Sequence, residues 1–305
     1  MKNIIAKSGS ENTYLYSEIF FSPQGEGQFT GKPTVWVRFF YCNLSCDGFG
    51  QDNPRDPSTY ILPYKDFDVD SIKTVEDLPV FEYGCDSSYS WAKKYKHLAK
   101  RATAKEIARL ICLELKDDSN PLGMFIHPDT HQSIHLAFTG GEPMLNQDAI
   151  VDIIEELTIM GNEPLDVTIE TNGTQPLTDR FKNYTNRMCS PFFFSVSPKL
   201  FSVSGEPAKR AIKPEVVIEY SEYAHGQLKF VLSDDEQAWD ELYSAIELFR
   251  NDGKGCDYPV WIMPVGATDS GQAKSAAAVA KRAIKKGFNV SARSHISLFG
   301  NVIGS

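Results

Sequence analysis

Apolar residues along the 305-residue chain follow two alternating periods. Nearly continuous apolar or β-branched runs predict strands at 34–40 (TVWVRFF), 133–139 (SIHLAFT), 166–171 (DVTIET), 192–197 (FFFSVS), 227–233 (QLKFVLS) and 260–265 (VWIMPV). Parallel strands buried on both faces have this character. Between them, apolar positions recur every three or four residues, as on a helix with one buried stripe. In 103–115, Ile107, Leu110, Ile111 and Leu115 share such a stripe, and Thr103 precedes Glu106 at capping-box spacing. Cys112 rides on that helix and is expected in the core. Segments 147–157, 235–249 and 271–287 predict three more helices. Strand and helix in alternation predict an α/β protein with one parallel sheet, open or curled into a partial barrel.

One stretch keeps neither period. Residues 47–84 carry more Asp and Glu than Lys and Arg, together with four prolines. A loop of that length inside a compact domain is usually functional or mobile, and it reads as an insertion lying over or beside the site within a single domain, 1–305. Composition adds exclusions. A hydrophobic fraction of 42% fits a sizeable core, and a net charge of −9 argues against coating nucleic acid, which needs a basic surface. No apolar run is long enough to span a bilayer, and the start has no signal-type apolar core, so a cytosolic location is expected. Six cysteines are too sparse for a disulfide scaffold, which leaves ligand chemistry for any that cluster.

Parallel α/β proteins gather their chemistry at the carboxyl ends of strands. Here those ends read Cys42-Asn-Leu-Ser-Cys46, TGGEP (139–143), ETNG (170–173), SVSPK (195–199) and MPVG (263–266). TGGEP suits either a tight turn or a bare backbone against which a ligand's ammonium and carboxylate lie. ETNG closes a strand, or its glutamate accepts from ribose hydroxyls. Lys199 is a solvated lysine or holds a carboxylate beside Ser197. GEGQFTGKP (25–33) is not a phosphate loop, because its spacing is wrong and Pro33 stands where a magnesium-binding hydroxyl is required.

Taken together, SEIFFSPQGEGQFTGKPTVWVRFFYCNLSC, CDSSYSW, TGGEP, ETNG, SVSPK and a terminal SHISLFG resemble the 7-carboxy-7-deazaguanine synthases, a family of radical S-adenosylmethionine enzymes. The resemblance runs in order from about residue 17 to residue 300. It implies a parallel partial (β/α) barrel of the radical-SAM type. It also implies that Cys42, Cys46 and Cys85 hold a 4Fe–4S cluster, although 38 residues, including the acidic insertion, separate Cys46 from Cys85. Three thiolates leave one iron for S-adenosylmethionine, whose reductive cleavage yields a 5′-deoxyadenosyl radical.

The resemblance further assigns S-adenosylmethionine to Gly84, Asp86, Gly140, Gly141, Glu142, Glu170, Asn172, Ser197 and Lys199. Gly141 would meet its methionyl end, Glu170 its ribose, Ser197 and Lys199 its carboxylate side, and the backbone around Cys85 and Asp86 its adenine. Pro23, Gln24, Gly25, Glu26, Arg38, Thr139 and His295 correspond to the substrate-binding set, and Ser87 to a hydroxyl that binds Mg²⁺. The implied reaction converts 6-carboxy-5,6,7,8-tetrahydropterin to 7-carboxy-7-deazaguanine with loss of ammonia, in a homodimer served by an external electron donor.

Two other readings give different expectations. A glycyl-radical activating enzyme shares the C-x3-C spacing and a GGEP-like turn, but not QGEG, CDSSYSW or SHISLFG. A zinc-stabilised binding module would need a fourth ligand such as His97 or His131. Cys189 and Cys256 are the reserve candidates for the third cysteine ligand.

Overall fold

The computed structural model describes residues 12–187, 192–273, 275–300 and 302–304. Among them, strands β1 (Thr13–Pro23), β2 (Pro33–Phe39), β3 (Lys100–Thr103), β4 (His135–Gly140), β5 (Val167–Thr171), β6 (Phe192–Val196), β7 (His225–Leu232), β8 (Val260–Pro264) and β9 (Asn289–Val290) form one sheet. Its order is β3-β1-β2-β4-β5-β6-β7-β8-β9. From β2 to β9 every neighbouring pair is parallel, whereas β1 runs antiparallel to both β2 and β3. The sheet does not close on itself: the fold is an open, partial α/β barrel. No helix among the described residues is long and apolar enough to cross a membrane.

Strand periodicity decides where the chemistry goes. Side chains alternate between the two faces of a strand. Val35, Val37 and Phe39 of β2, Leu136 and Phe138 of β4, Val167 and Ile169 of β5, Phe194 and Val196 of β6, and Leu228, Phe230 and Leu232 of β7 enter the main core. Helices Ala104–Glu114, Gln147–Ile159, Pro214–Tyr223, Glu236–Arg250 and Ala276–Lys285 contribute their buried stripes to that same core. The opposite parity supplies Trp36, Arg38, Thr139, Glu170, Lys229, Val231 and Met263 to a cavity on the other face. Near-continuous apolar runs thus conceal a polar inner row of Arg38, Thr139, Glu170 and Lys229, one on each of β2, β4, β5 and β7.

The six expected strands are all present, with ends moved by no more than two residues. β1, β3 and β9 are additional. β1 escapes the pattern because it buries residues of both parities, including Ser17 and the charged Glu18. The capping box forms: Thr103 Oγ1 accepts from Glu106 N at 3.2 Å, and Glu106 Oε2 accepts from Thr103 N at 2.8 Å. Leu110 departs from expectation and is exposed, because the buried stripe is Ile107, Ala108, Ile111 and Leu115. Leu110 lies roughly 115° round the helix from the centre of that stripe. Cys112 sits at the core's margin, accepting from Asn162 Nδ2 at 3.3 Å. The helix expected over 271–287 divides into Asp269–Ala273 and Ala276–Lys285.

Residues 47–84 contain only short helical turns, the longest Pro63–Asp66. Tyr64, Val69, Val75, Leu78 and Phe81 pack with Tyr89, Tyr95 and Leu98 into a second apolar cluster, against which Ile303 also lies. The Tyr95 hydroxyl donates to Tyr64 O at 2.6 Å. This small cluster gives the stretch its own buried surface although it lacks a strand or helix period.

Candidate active site

The polar inner row and the strand-end loops face one cavity of about 280 Å³. Its walls are the loop 23–26, the cysteine loop after β2, the segment 84–87, the glycine turn after β4, the ends of β5 and β6, Lys229 of β7, and Arg293 with His295. Phe49, Gly50, Val80 and Glu82 from residues 47–84, with Val302, Ile303 and Gly304, complete the lining.

The cysteine loop is held by backbone bonds and one buried carboxylate. Tyr41 and Cys46 take positive φ values of 96° and 52°, which side-chain-bearing residues rarely adopt. Glu206 Oε1 accepts from Ser45 N at 2.6 Å and Cys46 N at 2.9 Å, fixing that turn. Tyr41 N donates to Ser90 O at 2.9 Å, tying this loop to the segment after Cys85. The return of Cys85 is explained by a neck at the two ends of residues 47–84: Gly84 N donates to Phe49 O at 2.8 Å. A Cβ on Gly50 would come within 2.6 Å of Glu82 O. The excursion therefore closes on itself and brings Cys85 to the wall that also carries Cys42 and Cys46, where all three adjoin one small apolar cluster with Leu44 and Phe49.

Burial raises all three thiols: Cys42 to about 12, with Glu142 adding to the effect, Cys85 to about 11, with Asp86 adding, and Cys46 well above its ordinary range. Among the described residues no three His, Cys, Asp or Glu side chains stand as a single-ion site. An iron–sulfur cluster asks for something else, since each thiolate goes to a different iron. Three thiols sharing one cavity wall, none hydrogen-bonded to a cationic side chain and each costly to ionise alone, fit a donor set completed by such a cationic centre.

The opposite wall is an ion-pair network. Lys229 Nζ donates to Glu26 Oε2 and, at 2.9 Å, to Glu170 Oε2, while Gln24 Nε2 donates to Glu170 Oε1 at 3.0 Å. Arg293 spans two carboxylates, with Nε on Glu26 Oε1 at 2.9 Å and Nη2 on Asp86 Oδ2 at 2.6 Å. Burial alone would raise Glu26, but Lys229, Arg293 and His295 outweigh it and hold the carboxyl well below the usual range. Asp86 is lowered in the same way: Arg293 overcomes its burial. Arg38 places Nε on Glu18 Oε1 at 2.6 Å and Nη1 on Ser87 Oγ at 3.3 Å, and the Tyr89 hydroxyl donates to the same Glu18 oxygen at 2.7 Å. Burial lowers His295. Its ring lies so close over Gly25 that a Cβ there would come within 1.9 Å of Nδ1.

No family model matches the chain. Over 97% of its length it is 26% identical to the 7-carboxy-7-deazaguanine synthase of Halobacterium salinarum, covering 95% of that protein. It is likewise 26% identical over 97% of its length to the enzyme of the same name from Rhodopirellula baltica, covering 90% of it. The chain is thus similar along nearly its whole length to proteins named 7-carboxy-7-deazaguanine synthase. Its fold matches the crystal structure of QueE from Escherichia coli, with a TM-score of 0.53 at 18% identity, covering 93% of this chain and 95% of that one.

Of the residues that resemblance to this family singled out, all but one line the cavity. The exception is Glu142. It is fully buried and turns away, accepting from Thr171 Oγ1 at 2.7 Å, Asn172 N at 2.7 Å and Met144 N at 2.9 Å. It braces the two loops that flank it. Gly140 and Gly141 have no space for side chains: a Cβ on either would come within 2.3 Å or 2.1 Å of Phe39 O or Tyr41 O. Lys199 Nζ donates to Ser197 Oγ at 2.9 Å. His295 lies in the short helix Ser294–Phe299.

His97 and His131 are exposed and do not line the cavity, so neither is brought to the thiols as a fourth zinc ligand. Cys256 is buried in the main core, and Cys189 lies outside the described residues. Sequence reasoning missed Lys229, Arg293, Glu18 and Glu206. The signal for Lys229 was present, a lysine in the middle of an apolar strand run, but its partners come from 59 and 203 residues away.

Proposed function

We propose that this chain is a 7-carboxy-7-deazaguanine synthase, a carbon–nitrogen lyase that takes 6-carboxy-5,6,7,8-tetrahydropterin to 7-carboxy-7-deazaguanine with release of ammonia. The observation that carries this reading is the convergence on one cavity of Cys42, Cys46, Cys85, the Gly140–Gly141 turn, Glu170, Lys199 and the Gln24–Glu26 loop, which are far apart in sequence. In the proposal the three cysteines hold a 4Fe–4S cluster. With S-adenosylmethionine bound, that group supplies a radical able to remove hydrogen from the substrate.

The chain's own residues do the positioning. Gly140 and Gly141 expose backbone to the methionyl end of the cofactor, Lys199 faces its carboxylate, and Glu170 accepts from its ribose while Gln24 and Lys229 fix the carboxylate plane. Arg38 commits Nε to Glu18 and Nη1 to Ser87, which leaves Nη2 for the carboxylate of the pterin. Glu26, held ionised, accepts hydrogen bonds from pterin N–H groups. His295, kept neutral by burial, can donate or accept at the substrate. Ser87 supplies a hydroxyl to Mg²⁺ alongside substrate oxygens and water. Thr139 and Asn172 complete the wall. The protein works as a single domain with residues 47–84 inserted beside the site, as a cytoplasmic homodimer reduced by an external donor.

The test is a strictly anaerobic assay of iron- and sulfide-reconstituted protein with the carboxypterin, S-adenosylmethionine, Mg²⁺ and dithionite, read by mass spectrometry. Formation of 7-carboxy-7-deazaguanine is expected. Cleavage of S-adenosylmethionine with the pterin untouched would overturn the substrate assignment, and an absence of cleavage would overturn the radical reading.

A further inference from the structure

An irregularity in β1 decides which side chain lies beside Arg38. Tyr16 pairs with Phe39 and Glu18 with Arg38, so Ser17 is the extra residue of a β-bulge. Before the bulge Tyr14 and Tyr16 face the main core; after it Ile19 does, while Phe20 joins Trp36 on the cavity face and Glu18 reaches Arg38 there. An unbroken strand would set Ser17 opposite Arg38 and turn Glu18 into the apolar core, because a slip of one residue exchanges the two faces. Bulges next to active sites re-aim a side chain in this way.

The bulge brings a buried carboxylate to one end of a guanidinium. Glu18 is 2% exposed, and its Oε1 accepts both from Arg38 Nε at 2.6 Å and from the Tyr89 hydroxyl at 2.7 Å. Arg38 Nη1 donates to Ser87 Oγ at 3.3 Å, and Arg38 Cζ lies 5.7 Å from the ring centroids of both Phe20 and Tyr89. A planar guanidinium held at Nε, at Nη1 and between two rings keeps one orientation, with Nη2 the nitrogen left for an anion. Glu18 Oε2 has no hydrogen-bond partner among the described residues. Burying that oxygen unpaired costs stability, and such costs are characteristic of functional sites.

We infer that Glu18 and Tyr89 are positioning residues that set the selectivity of the site for a carboxylated pterin, by holding Arg38 so that Nη2 meets the substrate's carboxylate. The inference rests on the substrate reading given above, in which Arg38 takes that carboxylate. Glu18 acts through Arg38 and does not touch the pterin. An arginine free to turn would still attract an anion, but part of the interaction would go into ordering its own long side chain. Fixed in advance, the donor gives its full strength to a carboxylate at one place and nothing to the same ring system without one. What matters is therefore where Glu18 puts its oxygen, since its negative charge by itself opposes a second carboxylate nearby.

The experiment compares binding of 6-carboxy-5,6,7,8-tetrahydropterin with that of 5,6,7,8-tetrahydropterin, which lacks the carboxylate, to the full reconstituted chain with S-adenosylmethionine, anaerobically and without reductant. Selectivity is the ratio of the two affinities. Glu18→Asp keeps the charge but draws the oxygen back from Nε, and is expected to cut the ratio roughly tenfold, nearly all of it from weaker binding of the carboxylated ligand. Glu18→Gln keeps an acceptor at Oε1 without the charge and is expected to retain the ratio. In turnover, KM for the carboxypterin should rise in Glu18→Asp by more than kcat falls. Tyr89→Phe leaves the ion pair whole and should cut the ratio about threefold, which keeps the test open if a Glu18 variant fails to fold. An unchanged ratio in Glu18→Asp or Tyr89→Phe would overturn the inference, as would equal weakening of both ligands, the mark of a merely structural role. A Glu18→Gln variant as unselective as Glu18→Asp would overturn placement as the cause. Wild type with no preference for the carboxylated pterin would instead overturn the reading of Arg38 on which the inference rests, so the two failures are distinguishable.

Discussion

The two walls of the cavity solve the cost of burying charge in opposite ways. On the wall made by Glu26, Glu170, Asp86, Lys229 and Arg293, each buried carboxylate faces a cation of the same chain, and folding alone completes the electrostatics. On the cysteine wall burial pushes the thiols up by more than Lys199 pulls them down, and none is ion-paired among the described residues, so a positively charged group from outside the chain would favour their ionised form. The first wall is preorganised, and the second is a socket. On the function proposed above, the difference would leave substrate positioning to the fold itself and tie the redox chemistry to reconstitution.

The sharpest way to break this contrast is Cys85→Ala. Iron incorporation and cofactor cleavage are expected to fall to background, while the urea midpoint of the metal-free chain barely moves. Metal analysis and unfolding of the same preparation check both halves. The opposite wall should respond in reverse. Lys229→Met leaves Glu26 and Glu170 buried without their shared cation, and breaking such a pair typically destabilises by about 3–5 kcal/mol. That loss should appear in urea unfolding with or without iron, and a compensating Glu26→Gln should recover part of it.

A smaller effect tests the burial of His295, which is held below its ordinary value of 6.5 first by desolvation, against the pull of Glu26. Because its folded value is the lower one, the unfolded chain takes up more protons just below 6.5. Its contribution to stability is complete above that pH and lost as pH falls towards the folded value. Melting temperatures across that window should show a shallower acid decline in His295→Asn, the residual slope belonging to His135, which burial lowers in the same sense. The smallest effect belongs to neither wall. Thr103→Ala removes a helix cap remote from the cavity and should cost about 1 kcal/mol with turnover unchanged. A turnover defect there would mean that stability and the site are not separable.

Most of the candidate site was legible because chemistry at strand ends leaves a local trace: a cysteine pair, a glycine pair or a lysine after a run of apolar residues. Glu142 looked like part of the wall for that reason and turned inward, because backbone N–H groups of two loops claimed its carboxylate. Arg293 and Glu206 left no such trace. Arg293 matters only because Glu26 and Asp86 converge on it, and Glu206 only because the turn at Ser45–Cys46 lies against it.

The order of residues was enough for the alternation of strands and helices, the cysteine spacing and the stretch that keeps neither period, since each is written along a few turns or one strand. Which parity of each strand faces the cavity, and which cation answers which carboxylate, came from the assembled fold. It alone brought Cys85 back to the other two through the Gly84–Phe49 neck. Those outcomes depend on the register of seven parallel strands and on contacts between groups tens to hundreds of residues apart, and local periodicity carries no information about such distances.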